Sequence, residues 1–128
     1  MKYVYPAIFT PLGNGEYDVS VPDLPFCRTC GKGLTEAIEM AEDAIAMWLW
    51  HAENQEEKIP APSEELSVDL PQFINFIKAD TDEYRKAHDN RAVRKTLSIP
   101  SWLNHQAEKA NAPFSQILQQ GLKEYLQL

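Results

Sequence analysis

The segment 91–128 predicts three short elements that cannot enclose a core within one copy of the chain. Val93–Ile99 alternates apolar and polar residues, which is typical of a strand, and Pro100 ends that strand because proline lacks an N–H. A helix over about 102–110 and a second helix from Phe114 follow. A lone strand leaves backbone N–H and C=O groups unpaired, and two short helices bury little apolar surface. The segment therefore needs a partner.

A second copy of the chain would supply that partner. If two strands pair antiparallel about a two-fold axis, the apolar sides of strands and helices close over one shared core. The residues predicted to form this dimer core are Leu97, Ile99, Leu103, Ile117, Leu118 and Leu122. The alternative is an ordinary strand–helix–helix appendage that packs on the rest of the chain.

The outward face of the paired strands has the chemistry to read DNA, because a two-stranded ribbon fits the major groove of B-DNA. Arg94 can donate two hydrogen bonds to a guanine edge or contact a phosphate, and Thr96 and Ser98 can bond base edges. We expect Lys95 to be a phosphate contact or a residue at the end of the ribbon. The N–H groups near Ser115, where the second helix begins, can bind a phosphate. Strand, proline, helix, turn and helix in this order resemble the ribbon-helix-helix family of repressors.

Charge is distributed unevenly along the chain. Residues 1–90 carry 7 Lys/Arg and 17 Asp/Glu, a net charge of −10, whereas residues 91–128 carry 5 Lys/Arg and 2 Asp/Glu, a net charge of +3. Such a division indicates two partners of opposite sign. The basic end suits nucleic acid, and the acidic end suits a basic protein.

The N-terminal part predicts an α+β layer in which a helix covers one face of a sheet. An Asn-Gly turn joins the first two strands into an antiparallel hairpin. The predicted elements, in order, are strands at Lys2–Thr10, Glu16–Val21 and Phe26–Cys30, a helix from Leu34 to about Leu49, a returning strand at Leu66–Leu70 and a short helix within 72–85.

The loop and helix that follow the second strand resemble the HicB antitoxin family. That family has a strand ending in Pro-Asp-Leu-Pro, then usually Gly-Cys, Thr and Gly, and then a helix that begins Leu-x-Glu-Ala. The matching residues are Pro22, Asp23, Leu24, Pro25, Cys27, Thr29, Gly31, Leu34, Glu36 and Ala37. Phe26 stands where the family commonly has Gly, and Gly33 stands where a Thr cap is common.

The resemblance implies a partial RNase H-like N-terminal domain that binds HicA, a small basic toxin that cleaves mRNA. It also implies a C-terminal dimer that binds double-stranded operator DNA and represses the toxin–antitoxin operon. We expect a toxin-binding domain over 1–78, a connection over 79–91 and a ribbon-helix-helix over 92–128. The toxin contact is assigned to Asp23, Leu24, Pro25 and Phe26.

Catalysis and metal binding have less support in the sequence than DNA binding and toxin binding. RNase H chemistry needs several carboxylates around two Mg²⁺ ions, and a shortened fold rarely assembles the set. The available carboxylates are Asp18, Asp23, Glu36 and Asp69. Cys27 and Cys30 form a single CxxC, whereas a zinc site needs two further ligands at suitable spacing. The other interpretation is a pair of reduced thiols in a strand. We therefore expect no enzymatic activity and no cofactor.

A second hypothesis for function stays open. It is a stand-alone ribbon-helix-helix regulator whose N-terminal domain senses a small ligand. Co-purification with a small basic protein would separate the two hypotheses. No apolar run approaches the roughly 20 residues that cross a bilayer, so we expect a cytoplasmic protein.

Overall fold

The computed structural model describes residues 1–128 and divides them into two compact units, Met1–Asn90 and Arg91–Leu128. The first unit is a four-stranded antiparallel sheet with helices, and the second unit contains two helices. The elements are β1 (Lys2–Pro11), β2 (Glu16–Ser20), β3 (Arg28–Lys32), α1 (Leu34–Asn54), β4 (Phe73–Asp80), α2 (Thr81–Ala87), α3 (Ser101–Lys109) and α4 (Phe114–Leu126).

The hairpin of β1 and β2 confirms the prediction from the Asn-Gly turn. Phe9 lies opposite Val19 in the antiparallel register, and Gly13 and Gly15 both have positive φ in the turn. β3 pairs antiparallel with β2 and begins two residues later than predicted. The delay arises because Phe26 and its neighbours form a turn of their own before β3.

The fourth strand is a correction to the sequence prediction. The predicted strand Leu66–Leu70 forms no strand, and the predicted helix within 72–85 is β4 in its first half. β4 pairs antiparallel with β1, giving the sheet order β3-β2-β1-β4. Pairing along the full length of β4 places Ile77 and Ala79 in the core, and that burial outweighs the helical tendency of the segment.

The core of the first unit lies between α1 and one face of the sheet. Small residues of α1 let the helix approach the strands, and each fully buried large apolar side chain contributes about 1.5–3 kcal/mol. Prominent fully buried members are Tyr5, Phe9, Val19, Leu24, Ala37, Ala41, Ile45 and Leu49. The first unit therefore has a closed core of its own.

The end of β4 and all of α2 lie within the predicted connection over 79–91. Asp80 caps α2: its carboxylate accepts hydrogen bonds from the N–H groups of Asp82 and Glu83. Thr81 is buried and donates a 2.9 Å hydrogen bond to Glu53 of α1. These contacts join α2 to the first unit.

The second unit contains the two predicted helices but no strand. Residues 88–100 have no regular structure, and the predicted strand Val93–Ile99 has no neighbour with which to form a ladder. The ribbon of the predicted dimer therefore stays a prediction. No helix in the structure combines the length and the apolar character that crossing a membrane requires.

Candidate functional site

The second unit presents an open apolar groove between the extended segment and its two helices. Neither α3 nor α4 has a buried residue, although both carry large apolar side chains. The groove has a volume of about 580 Å³ and is lined by Lys95, Leu97, Ile99, Leu103, Asn104, Ala107, Ala112, Phe114, Ser115, Ile117 and Leu118. We call it the α3–α4 groove. A water-exposed apolar groove of this kind is typical of a unit whose core is completed by a partner.

Five of the six residues predicted for the dimer core meet in the α3–α4 groove. Leu122, the sixth, lies one turn further along α4 and does not line the groove. Phe114 lines it and was missed by the sequence analysis, which took this residue only as the start of a helix. The position of this aromatic side chain directly after Pro113 is a signal from which its place in the groove could have been predicted.

The residues predicted to contact DNA fall into two sets. Arg94, Thr96 and Ser98 are exposed and occupy alternate positions of the extended segment. Lys95 and Ser115 instead line the α3–α4 groove. Side chains at alternate positions of an extended chain point to the same side, so Lys95 lies with Leu97 and Ile99 rather than with Arg94.

The residues predicted to contact the toxin lie in a tight turn between β2 and β3. Backbone hydrogen bonds close this turn: the N–H of Leu24 donates to Val21 (3.1 Å), the N–H of Cys27 to Leu24 (3.1 Å), and the N–H of Val21 to Cys27 (3.0 Å). Leu24 is buried in the core, so its side chain anchors the turn from within. Pro25 and Phe26 are exposed at its tip.

Asp23 connects the same turn to the proline-rich segment after α1. Its carboxylate accepts a 2.9 Å hydrogen bond from the N–H of Ser63 and a second hydrogen bond from the Ser63 hydroxyl. Near by, the Tyr5 hydroxyl donates to the carbonyl of Pro60. Asp23 thus fixes the path of the segment that leads from α1 to β4.

We expect Asp23→Ala to lower the free energy of unfolding by about 1–3 kcal/mol, because two donors of Ser63 lose a charged acceptor in a half-buried site. Chemical denaturation of the full chain measures the change. Asp18→Ala removes an exposed aspartate from β2 and serves as the control. Equal midpoints for the two variants would contradict a structural role for Asp23.

Phe26 is the most unusual residue of the turn. Its side chain is 99% exposed, and its φ is 63°, in the left-handed region that bulky residues rarely adopt. Phe26 borders a groove of about 760 Å³ against α1, whose other lining residues are Pro25, Cys27, Arg28, Ala44, Met47, Trp48, Trp50, His51 and Glu57. We call Phe26 together with Met47, Trp48, Trp50 and His51 the Phe26 surface.

The α1 members of the Phe26 surface were missed by the sequence analysis. Trp48 is half-buried and packs against the core, and the sequence analysis predicts no binding role for it or for Met47 and Trp50. Their positions were the available signal, since large apolar residues on a polar helix face often mark an interface. The indole N–H of Trp48 donates a 3.0 Å hydrogen bond to the carbonyl of Pro25, which joins α1 to the turn.

The two cysteines are free thiols in different surroundings. Cys27 is buried, and that burial raises its pKa to about 11, so its thiol stays protonated at neutral pH. Cys30 is exposed on β3. No group of three or more His, Cys, Asp or Glu side chains is arranged to hold a metal ion.

Comparison with known proteins gives a consistent set of relatives. Residues 5–120 match the family described as the HicB-like antitoxin of bacterial toxin–antitoxin systems. A 14.9 kDa protein from the rep-hol intergenic region of Haemophilus phage HP1 is 27% identical over 107 residues, which are 83% of this chain and 80% of that protein. Antitoxin HicB 1 of Photorhabdus laumondii is 38% identical over 69 residues, which are 52% of this chain and 44% of the antitoxin.

A solved structure extends the similarity to both units. A chain in a toxin–antitoxin complex from Streptococcus pneumoniae has a TM-score of 0.58 and 25% sequence identity, and the alignment covers 98% of this chain and 99% of that one.

Proposed function

Because the chain belongs to the HicB-like antitoxins of bacterial toxin–antitoxin systems, we propose that it neutralises a HicA-type toxin and represses its own operon. Its first unit binds the toxin. Its second unit dimerises and binds operator DNA. Both activities are binding functions, exercised in the cytoplasm, and neither requires catalysis or a cofactor.

The observation that carries the proposal is the uncovered α3–α4 groove. Leu103 of α3 and Leu118 of α4 both line apolar surface that water contacts in the single chain. A second copy related by a two-fold axis would cover this surface and give each Val93–Ile99 segment an antiparallel neighbour. The resulting ribbon has the width that the DNA major groove accepts.

The exposed residues of that ribbon would read the operator. Arg94 has the donor geometry for a guanine, and Thr96 and Ser98 supply hydroxyl groups on the same side. Lys95 would reach a phosphate from the end of the ribbon, and the free N–H groups at the start of α4, near Ser115, would bind a second phosphate. The net charge of +3 on this unit supports contact with DNA.

The first unit has the charge for a basic toxin. Its net charge of −10 favours association with a positively charged protein and accelerates encounter. The predicted contact lies in the turn of Asp23, Leu24, Pro25 and Phe26, where Leu24 and Asp23 hold the turn and the other two side chains face solvent. Toxin and DNA would therefore meet different units of the same chain.

We expect the double variant Arg94→Ala/Thr96→Ala to lose at least 100-fold in operator affinity while it still inhibits RNA cleavage by the toxin. A dimer loses both residues twice, and each base contact is worth about 1–3 kcal/mol. Fluorescence anisotropy with a duplex that covers the promoter of its own operon measures the DNA arm. Cleavage of a labelled RNA by the toxin measures the other arm.

Lys123→Ala is the matched control, because it removes one positive charge from α4 outside the extended segment. It should leave DNA affinity within a few-fold of the parent. Loss of both activities in a folded double variant would contradict the two-unit assignment. If the chain binds DNA tightly but does not bind the toxin, the alternative hypothesis of a stand-alone regulator with a ligand-sensing domain would be favoured.

A further inference from the structure

Phe26 combines two features that rarely occur at one residue. A glycine would adopt φ of 63° without steric conflict, yet the chain places a bulky aromatic side chain there and leaves it 99% exposed. Neither feature stabilises the fold of the single chain. Backbone strain of this kind persists where the surroundings impose it, and it is concentrated at functional sites.

The surroundings of Phe26 hold it rigidly. Hydrogen bonds among Val21, Leu24 and Cys27 close the turn on both sides, and Trp48 binds the carbonyl of Pro25. Because the backbone is already fixed, only the side-chain rotamer of Phe26 has to be ordered when a partner covers it. Phe26 is therefore preorganised to be buried by another molecule.

The Phe26 surface extends this single side chain into a contact area. Met47 is 51% exposed on α1, and Trp48, Trp50 and His51 line the same groove as Met47 and Phe26. Aromatic residues and methionine are enriched at protein interfaces, and the flexible methionine side chain adapts to the shape of a partner. The area has the aromatic residues and methionine of an interface centre, and Arg28 and Glu57 also line the groove.

Charge decides which molecule covers this surface. The first unit has a net charge of −10, so two copies brought face to face would repel one another. A basic protein would gain from the same field. We propose that Phe26 is the anchor of the toxin contact and inserts into an apolar recess of the basic toxin, with Met47 and His51 packing around it. This inference rests on the proposed antitoxin function and assigns its central contact.

The test compares Phe26→Gly with the parent chain, using the purified protein encoded next to this gene as the toxin. We expect the toxin to bind the variant about 100-fold more weakly in calorimetry, as truncation of a central aromatic anchor typically causes. We also expect the unfolding midpoint to stay the same or rise, because glycine relieves the left-handed strain. A residue with a merely structural role would lower the midpoint.

Phe26→Asn tests whether weaker binding by the glycine variant comes only from backbone flexibility, because asparagine also tolerates positive φ. We expect Phe26→Asn to weaken binding to a similar extent. Phe76→Ala is the matched control, since Phe76 is another exposed phenylalanine (68%) but lies on β4. It should bind the toxin like the parent.

The outcomes separate this inference from the function on which it rests. Parental toxin affinity in both Phe26 variants would overturn the anchor while the antitoxin function stands. A parent chain that does not bind the neighbouring protein at all would overturn both. A smaller oligomer of Phe26→Gly without toxin would assign the surface to a second copy and overturn the proposal.

Discussion

Leu118→Asp is expected to convert the proposed DNA-binding dimer into a monomer and to raise the dissociation constant of that dimer at least 1000-fold. Leu118 lies on α4 in the α3–α4 groove and is only 38% exposed even in the single chain. A second copy would remove the remaining exposure. The aspartate would then be buried in a shared apolar core, and two-fold symmetry would bury it twice.

The magnitude follows from the desolvation of these two carboxylates. Each buried, unpaired charge costs several kcal/mol, and about 1.4 kcal/mol corresponds to one decade in a dissociation constant. Loss of the dimer should also lower the affinity for operator DNA, because a monomer has no ribbon. The first unit keeps its own closed core, so toxin inhibition should persist.

Gln119→Asp is the matched control for this prediction. It adds the same charge to the same helix at the next position, which does not line the groove. Sedimentation velocity gives the mass of each variant, and anisotropy gives its affinity for DNA. A Leu118→Asp protein that remains a dimer with parental DNA affinity would show that the association surface lies elsewhere.

The sequence predicts the elements whose signals are local. The hairpin of β1 and β2 follows from alternation around an Asn-Gly turn, and α1 follows from apolar residues at steps of three and four. β4 was missed because its identity depends on β1, more than 60 residues away in the chain. The Leu66–Leu70 segment has the better local alternation but finds no strand to pair with.

The candidate sites divide in the same way. The α3–α4 groove could be predicted, because apolar positions on short helices specify which side chains meet. The α1 residues of the Phe26 surface left a signal in the sequence, but the geometry of the surface could not be predicted, because it depends on the positive φ of Phe26 and on the hydrogen bond from Trp48 to Pro25. Both are tertiary features with no periodic trace in the sequence. The alternation of the extended segment already places Lys95 beside Leu97, and its contact with a phosphate stays a prediction.

Gly31→Ala is expected to lower the free energy of unfolding of the first unit by about 3 kcal/mol, at the upper end of overpacking effects. Gly31 is buried in β3 below the start of α1. A Cβ at this position would lie 2.5 Å from the backbone N and 2.6 Å from the Cα of Ala37. Neither atom belongs to a flexible side chain, so the helix itself must move.

Displacement of α1 would also disturb the proposed toxin contact, because α1 carries four members of the Phe26 surface. We therefore expect Gly31→Ala to weaken toxin binding while operator binding by the second unit is retained. Gly121→Ala makes the same substitution in α4, where a Cβ meets no atom within 4 Å. There the alanine should raise the free energy of unfolding by about 0.5–1 kcal/mol. Denaturation curves of the two variants show whether the free energy of unfolding falls in Gly31→Ala and rises in Gly121→Ala. A decrease of less than about 0.5 kcal/mol in the free energy of unfolding of Gly31→Ala would mean that α1 and β3 do not approach one another this closely.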